Sequence, residues 1–373
     1  MREFINGAEA IARGAIRARC NFFAGYPITP ATPILLHMIR ELPKVGGVAI
    51  QAEDELAAMG FCIGASLSGS RAMTATSGPG ISLFSENIGA AIMVEVPLVI
   101  VDVQRMGPAT GGATTGAQSD IQFLRWGTSG GFPVIVLSPT DVLDCYRLTQ
   151  LAFDLAERFR HPVFLACDKQ IVLNRTTVES SAFEDINVRQ RNFAAVRDEF
   201  VPYRFTEPAE VPPMSPFGGP HLVRISTSSH DEYGYLTKNN EDMDRINRHL
   251  NAKIAAHREE IAEVKADHQE GADTLIISYG ITAQSVLEAI RLLRQGGSKI
   301  SSLVILSLWP VPELKILRAM RDMKRVIVVE LNQGQYQREI ERMASDSQEV
   351  IGVNRLDGRI FSPEEILARG GLK

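Results

Sequence analysis

Glu53, Asp54 and Glu55 stand together in QAEDELAAMGFCIGAS, where an apolar run gives way to small, helix-forming residues. Acids in a first helical turn favour the positive end of the helix dipole, so capping accounts for one of them. Three are more than a cap requires. Gly60 and Gly64 follow at i, i+4 and give that helix a smooth face against which another backbone or subunit can pack. A carboxylate at the mouth of such a helix, walled by apolar residues, suits a proton relay.

Three further segments carry groups of chemical interest. In GYPITPATP (25–33) two prolines flank Ile28 and Thr29. They fix φ and stop a helix, presenting the Thr29 hydroxyl on a rigid extended turn, unless the segment is only a proline-terminated loop with Thr32 capping the next helix. TSGPG (76–80) resembles a phosphate loop, yet it has neither the Walker lysine nor GxGxxG spacing. Its glycines instead let the backbone approach a flat ring. Arg105 follows the apolar strand LVIVDVQ and precedes the glycine-rich GPATGGATTGAQSD. A guanidinium at a strand end can grip a carboxylate bidentately, or serve as the ion-pair partner of a nearby acid. Farther on, Glu330, Asn332 and Gln335 surround Gly334 and either line a pocket or cap a helix. The lone histidines, including His161 and His230, show no metal-ligand spacing, and Cys20, Cys62, Cys145 and Cys167 form no CxxC pair. No metal site is expected, and buried free thiols are.

Positioning these groups requires strand ends, and the chain supplies them. Up to about residue 175, helix-period segments alternate with NFFAGY, VGGVAIQA, SRAMTATS, VPLVIVDVQ, FPVIVLS and HPVFLAC, the pattern of βα units on a parallel sheet. Ligands of open α/β sheets collect at the carboxyl ends of the strands. Residues 1–180 are expected as one α/β domain, 181–270 as a linker with a charged helix facing solvent or another subunit, and 271–373 as a smaller α/β domain. In the last, TLIISYG, SSLVILSLWP and RVIVVELNQ read as strands, with helices near Ala283–Arg294, near Glu313–Met323 and from about Gln335. The 39 basic and 44 acidic residues are spread along the chain, which excludes an electrostatic footprint for nucleic acid or an anionic membrane surface. No apolar run reaches about 18 residues and no signal-peptide pattern opens the chain, so a cytoplasmic protein is expected.

Taken in order, YPITPATP, AEDELAAMGFCIGAS, TATSGPG, ENIGAA and VDVQRMGPATGGAT resemble the alpha subunit of 2-oxoacid:ferredoxin oxidoreductases, in the 2-oxoglutarate and branched-chain oxoacid branch. FGGPHLVRISTSSHDEYGY, SYGITAQSV and ELNQGQ extend the resemblance over nearly the whole chain. It implies the pyrimidine domain of a thiamine-diphosphate-binding fold followed by a transketolase C-terminal-like domain. It implies that Glu55, set before Gly60 and Gly64 as in the family's E-x4-G-x3-G, hydrogen-bonds the aminopyrimidine of thiamine diphosphate and relays its proton. By the same resemblance Thr29 and Arg105 bind the substrate, and Tyr26, Pro27, Ile28, Ser77 and Gly78 join Glu55 in cradling the cofactor. The activity implied is oxidative decarboxylation of a 2-oxoacid with coenzyme A and ferredoxin, 2-oxoglutarate being favoured over a branched oxoacid. The chain contains no GDG motif to hold Mg2+ and no cysteine cluster for a [4Fe-4S] centre. The family places both in a beta subunit, which implies a shared active site in an (alpha-beta)2 assembly. A transketolase-like or acetolactate-type subunit would share Glu55 but not Arg105, and a scaffold subunit would keep the fold without the chemistry.

Overall fold

In the computed structural model, residues 1–197 and 199–372 are described. The first half supplies β1 (Arg2–Asn6), β2 (Phe22–Gly25), β3 (Val48–Gln51), β4 (Ala72–Thr76), β5 (Leu98–Gln104), β6 (Ile135–Leu137), β7 (Pro162–Asp168) and β8 (Arg175–Glu179). The second half supplies β9 (Val264–Asp267), β10 (Thr274–Tyr279), β11 (Ser301–Ile305), β12 (Ser307–Trp309), β13 (Arg325–Glu330) and β14 (Glu349–Asn354).

Seven strands form one sheet in the order β12-β6-β7-β5-β4-β2-β3, parallel except for β12. Every residue of β5 and β7 is buried, as expected of near-continuous apolar runs sealed on both faces by helices. Side chains alternate across the sheet. Val99, Val101 and Val103 pack with Ala8, Ile11 and Ala15 of the helix Gly7–Arg17, while Leu98 and Ile100 pack with Met59 and Cys62 of the helix Glu55–Leu67. The second sheet has the order β14-β13-β10-β11-β9, with only β9 antiparallel, and β1 pairs with β8 in a separate two-stranded ribbon. An α/β chain with a larger and a smaller sheet is what the pattern of apolar runs implies.

Three local features differ from the sequence expectation. SSLVILSLWP is not one strand. It breaks at Leu306, where the backbone N–H groups of Leu306 and Ser307 both donate to the Glu263 carbonyl and the Leu306 carbonyl accepts from Ser138. β11 stays in the second sheet, whereas β12 crosses to pair with β6 in the first. The stretch 181–270 also contains β9, a member of the second sheet. Its charged helix, Asn240–Ala255, buries Ile246, His249, Leu250, Lys253 and Ile254 rather than facing water throughout. Glu95 makes this possible, its Oε2 accepting from Lys253 Nζ at 2.7 Å and facing His249 Nε2 at 2.9 Å, all three side chains fully buried. Finally, β14 and the helix Pro363–Arg369 complete the second unit beyond the segments anticipated from its apolar runs.

Candidate functional site

The carboxyl ends of β2, β4 and β5 gather the groups singled out in the sequence. β3 ends at Gln51, and Asp54 caps the following helix, its carboxylate accepting from Ala57 N at 2.7 Å. Capping is therefore done by Asp54, and Glu55, the first helical residue, is released from it. Glu55 is 8% exposed, yet among the described residues no donor hydrogen-bonds its carboxylate. Gly80 explains where that carboxylate lies. A Cβ there would stand 2.0 Å from Thr76 Oγ1 and 3.0 Å from Glu55 Oε1, so the missing side chain gives room to Glu55 rather than to a flat ring. Gly60 and Gly64 present an open face with nothing within 4 Å of a built Cβ, flanked by the half-exposed Leu56 and Phe61.

Arg105 forms the second focus. It is 6% exposed, forms no ion pair among the described residues, and donates from Nη1 to the backbone carbonyl of Thr29 at 2.9 Å. Thr29 is exposed and its hydroxyl makes no hydrogen bond among the described residues. Thr32 does not cap: the helix Thr32–Glu41 has Ala31 at its N-cap and no side-chain cap. With Nη1 occupied, Arg105 keeps its Nε–Nη2 edge, and Nε is buried without a partner. That edge is the one a carboxylate engages with two parallel bonds. Gly78 lies over it with φ +40°, and a Cβ there would meet Arg105 Cγ at 3.1 Å and Nε at 3.4 Å. Only glycine takes that backbone without strain and leaves the fork approachable.

Between the two foci sit Ser77, fully buried with an unpartnered hydroxyl, and the unpartnered Thr76, Asp102 and Gln104. Thr76, Asp102 and Gln104 share the face of the sheet that carries Ile100 and the helix Glu55–Leu67. Buried polar groups are nearly always satisfied, so this concentration marks a place reserved for something the chain itself does not supply. Tyr26 is exposed and Pro27 and Ile28 half-buried at the rim. The structure thus groups Glu55, Thr76 and Gly80, and separately Thr29, Gly78 and Arg105, with Ser77 linking them. Asp102 and Thr76 had not been singled out. An acid inside the otherwise apolar LVIVDVQ was the available signal for the first.

A cavity of ≈ 370 Å³ opens beside Gly78, bounded by Pro108, Ser119, Asp120 and, from the second unit, Asn332 and Gln335. Larger hollows exist near Trp126 and Trp309 (≈ 470 Å³) and beside Lys315 (≈ 500 Å³), but neither is lined by Gly78 or its neighbours. Glu330 does not line the cavity. It is fully buried and accepts from Tyr279 Oη, Asn332 Nδ2 and the backbone N–H groups of Tyr336 and Gln337 at 2.7–3.0 Å. The second unit closes on the first through Gln118, which donates to Asp168 Oδ2 and the Tyr279 carbonyl and accepts from Leu331 N. Burial, opposed by the donors Ile281 N and Gln118, pushes the Asp168 carboxyl up to about 7.

Elsewhere the residues considered for ligation are structural. Burial holds His161 down at about 3, hence neutral, and His230 faces the carbonyls of Asp231 and Met93. The four cysteines are free and buried, and no described group of three His, Cys, Asp or Glu residues is placed to hold a metal. No described helix is long and apolar enough to cross a membrane.

Comparison with known proteins adds relatives to this geometry. A family model described as pyruvate flavodoxin/ferredoxin oxidoreductase, thiamine diP-binding, matches residues 13–249, and one for pyruvate:ferredoxin oxidoreductase core domain II matches 272–366. The chain is 42% identical to the 2-oxoglutarate synthase subunit KorA of Methanothermobacter thermautotrophicus, over 98% of this chain and 96% of that one. It is 31% identical to the ketoisovalerate oxidoreductase subunit VorB of Methanothermobacter marburgensis over 98% and 96%. A solved 2-oxoglutarate:ferredoxin oxidoreductase from Magnetococcus marinus, with 2-oxoglutarate, coenzyme A and succinyl-CoA bound, superposes with a TM-score of 0.92 at 34% identity. The match covers 99% of this chain and 64% of that one. A split gene transketolase, at TM-score 0.56 and 14% identity, shares the fold.

Proposed function

The chain belongs to the pyruvate flavodoxin/ferredoxin oxidoreductase family, and from that premise we propose that it is the alpha subunit of a 2-oxoglutarate:ferredoxin oxidoreductase. The reaction is 2-oxoglutarate, coenzyme A and oxidised ferredoxin giving succinyl-CoA, CO2 and reduced ferredoxin. One observation carries the reading: Glu55 is nine-tenths buried, and no donor among the described residues hydrogen-bonds its carboxylate.

The residues fit thiamine diphosphate on that ground and on the unpartnered Ser77, backed by the open Gly60–Gly64 face. When bound, the cofactor supplies the carbon nucleophile and the electron sink that decarboxylation of a 2-oxoacid needs. Glu55 would hydrogen-bond the pyrimidine ring through its carboxyl and serve there as the group through which a proton is relayed. Tyr26, Pro27, Ile28, Ser77 and Gly78 complete the rim and floor that keep water from the ring. Arg105 offers its Nε–Nη2 edge to the substrate 1-carboxylate, held in aim by the Thr29 carbonyl. The Thr29 hydroxyl, free and exposed beside it, orients the keto oxygen.

The diphosphate, its Mg2+ and the [4Fe-4S] centre are assigned to a beta subunit in an (alpha-beta)2 assembly, docked on the face that carries Leu56, Gly60, Phe61 and Gly64. Ferredoxin would draw its electrons from that subunit. A cytoplasmic location suits these partners. The higher identity to 2-oxoglutarate synthase subunits than to ketoisovalerate oxidoreductase subunits favours 2-oxoglutarate.

The test is a panel of oxoacids on the co-expressed subunit pair with coenzyme A, reading ferredoxin or low-potential dye reduction. The expected result is the highest kcat/KM with 2-oxoglutarate. A higher value with 2-oxoisovalerate would move the assignment to the branched-chain branch, and no reduction with any oxoacid would refute it.

A further inference from the structure

The glycine-rich run after Arg105 is folded back on itself rather than loose. Met106 N donates to the Thr115 carbonyl at 2.9 Å and Thr115 N to the Gly112 carbonyl at 2.7 Å, closing a loop over residues 106–115. A Cβ at Gly111 would collide with the Met106 carbonyl, and one at Gly112 would stand 2.9 Å from Met106 Sδ. Those two glycines serve close packing, whereas Gly107 has nothing within 4 Å of a built Cβ. Two residues outside the loop meet its returning leg. Lys169, which follows β7, donates from Nζ to the Thr114 carbonyl. Gly358, in the turn between β14 and the helix Pro363–Arg369, meets Thr115 so closely that a Cβ there would collide with Thr115 Cγ2. Thr114 needs such support. Its φ is +63°, a left-handed backbone that a β-branched residue rarely takes and that persists only where the surroundings enforce it.

The seated loop forms a wall. Gly107, Pro108 and Ala109 line the ≈ 370 Å³ cavity from the first unit, and Leu356, two residues before Gly358, lines it from the second. Arg105 is not part of that wall, but Gly78, which is, lies against the Arg105 side chain. We propose that Lys169 and Gly358 are positioning residues, seating the returning leg so that Gly107–Ala109 stand as a fixed wall of the cavity by which the oxoacid approaches Arg105. That Arg105 binds the oxoacid, and that this cavity is its approach, rest on the functional reading above. A wall fixed beforehand need not be ordered when the substrate arrives, whereas a loose one must be and weakens binding. Neither residue touches a reacting group, so losing either contact acts on KM rather than on kcat.

The test uses the assembled complex. Gly358→Ala drives a methyl into Thr115 and should raise the oxoacid KM about tenfold, with kcat within about threefold of wild type. Lys169→Met leaves the Thr114 carbonyl without its donor and should raise KM about three- to tenfold, again with kcat little changed. The decisive variant combines Gly358→Ala with Thr115→Ser, which removes only the methyl that the new Cβ meets. It should bring KM back to within about threefold of wild type. Alanine still strains the backbone at residue 358, where φ is +82°, so recovery isolates the contact from the turn. A double variant as impaired as Gly358→Ala, or a Gly358→Ala loss that lies in kcat alone, overturns the proposal. Hydrogen exchange gives a readout apart from turnover. The amides of Met106 and Thr115, bonded inside the loop, should exchange faster in both single variants and return to the wild-type rate in the double variant. Where Gly358→Ala fails to assemble, Lys169→Met decides, and unchanged exchange at both amides overturns the proposal. If exchange responds as expected but no oxoacid is turned over, only the functional reading falls.

Discussion

The carboxyl ends of the two sheets are built from the same parts, a buried parallel strand running into a glycine turn and then a helix. They treat their polar groups in opposite ways. At the end of β13, Glu330 is saturated by Tyr279, Asn332, Tyr336 and Gln337, and Asn332 also donates to the Gln118 carbonyl. At the ends of β4 and β5, Thr76, Ser77, Asp102, Gln104 and Arg105 Nε are buried without partners among the described residues, and no described donor hydrogen-bonds the buried Glu55. A buried acid with every lone pair engaged is a fastener. A buried acid with none is held in readiness for a proton or a ligand.

The strongest way to break that contrast is to alter one acid from each end. Glu55→Gln in the assembled complex should lower kcat by about 10^2- to 10^4-fold, the range of a lost general acid–base group, with assembly and melting unchanged. Turnover within a few-fold of wild type would mean that Glu55 is no more a relay than Glu330. Glu330→Ala should instead act on stability. It strands Tyr279 Oη and two backbone N–H groups, each costing about 1–3 kcal/mol, and should lower the denaturant midpoint by the equivalent of roughly 3 kcal/mol. An unchanged midpoint would remove its status as a fastener.

Arg105→Leu tests the unpartnered fork. Loss of a charged hydrogen-bonding group of this kind costs about 1.5–3 kcal/mol, so kcat/KM for the oxoacid should fall roughly 10- to 100-fold, mostly through KM. If kcat alone fell, Arg105 would act on the chemical step rather than on binding.

The smallest effect concerns Asp168, at the seam between the two ends. Its carboxyl is raised from 3.8 to about 7 chiefly by burial, so its contribution to folding is fully present below pH 3.8 and is lost as pH rises through about 7. Asp168→Asn keeps an oxygen for Ile281 N and Gln118 but cannot ionise. The melting temperature of wild type minus that of the variant should therefore decline from acid toward pH 8. A difference that stays level would show that Asp168 does not titrate in this range.

Much of the architecture was legible along the chain. Each strand read from an apolar run in the first half is present, because a strand sealed on both faces must be apolar throughout and declares itself locally. That Glu55, Thr29, Arg105 and Gly78 follow strand ends of one parallel sheet could be anticipated, whereas their division into two foci could not. Less could be read where a long-range partner decides. SSLVILSLWP looks like one strand, and it is the Glu263 carbonyl and the vacant edge of β6 that divide it. DMDRINRHLNAKIA looks solvated, and it is Glu95, far back in the chain, that draws Lys253 inward.

By itself, then, the sequence determined the alternation of strands and helices, the places where the chain must turn, and which acid stands at a helix mouth. Periodicity and local backbone preference act between near neighbours and are written in order. Tertiary structure alone decided which buried groups are satisfied. Asp54 rather than Glu55 became the cap, Glu330 was saturated, and Asp102 was left buried without a partner among the described residues, because hydrogen-bond satisfaction depends on neighbours that folding supplies from distant parts of the chain.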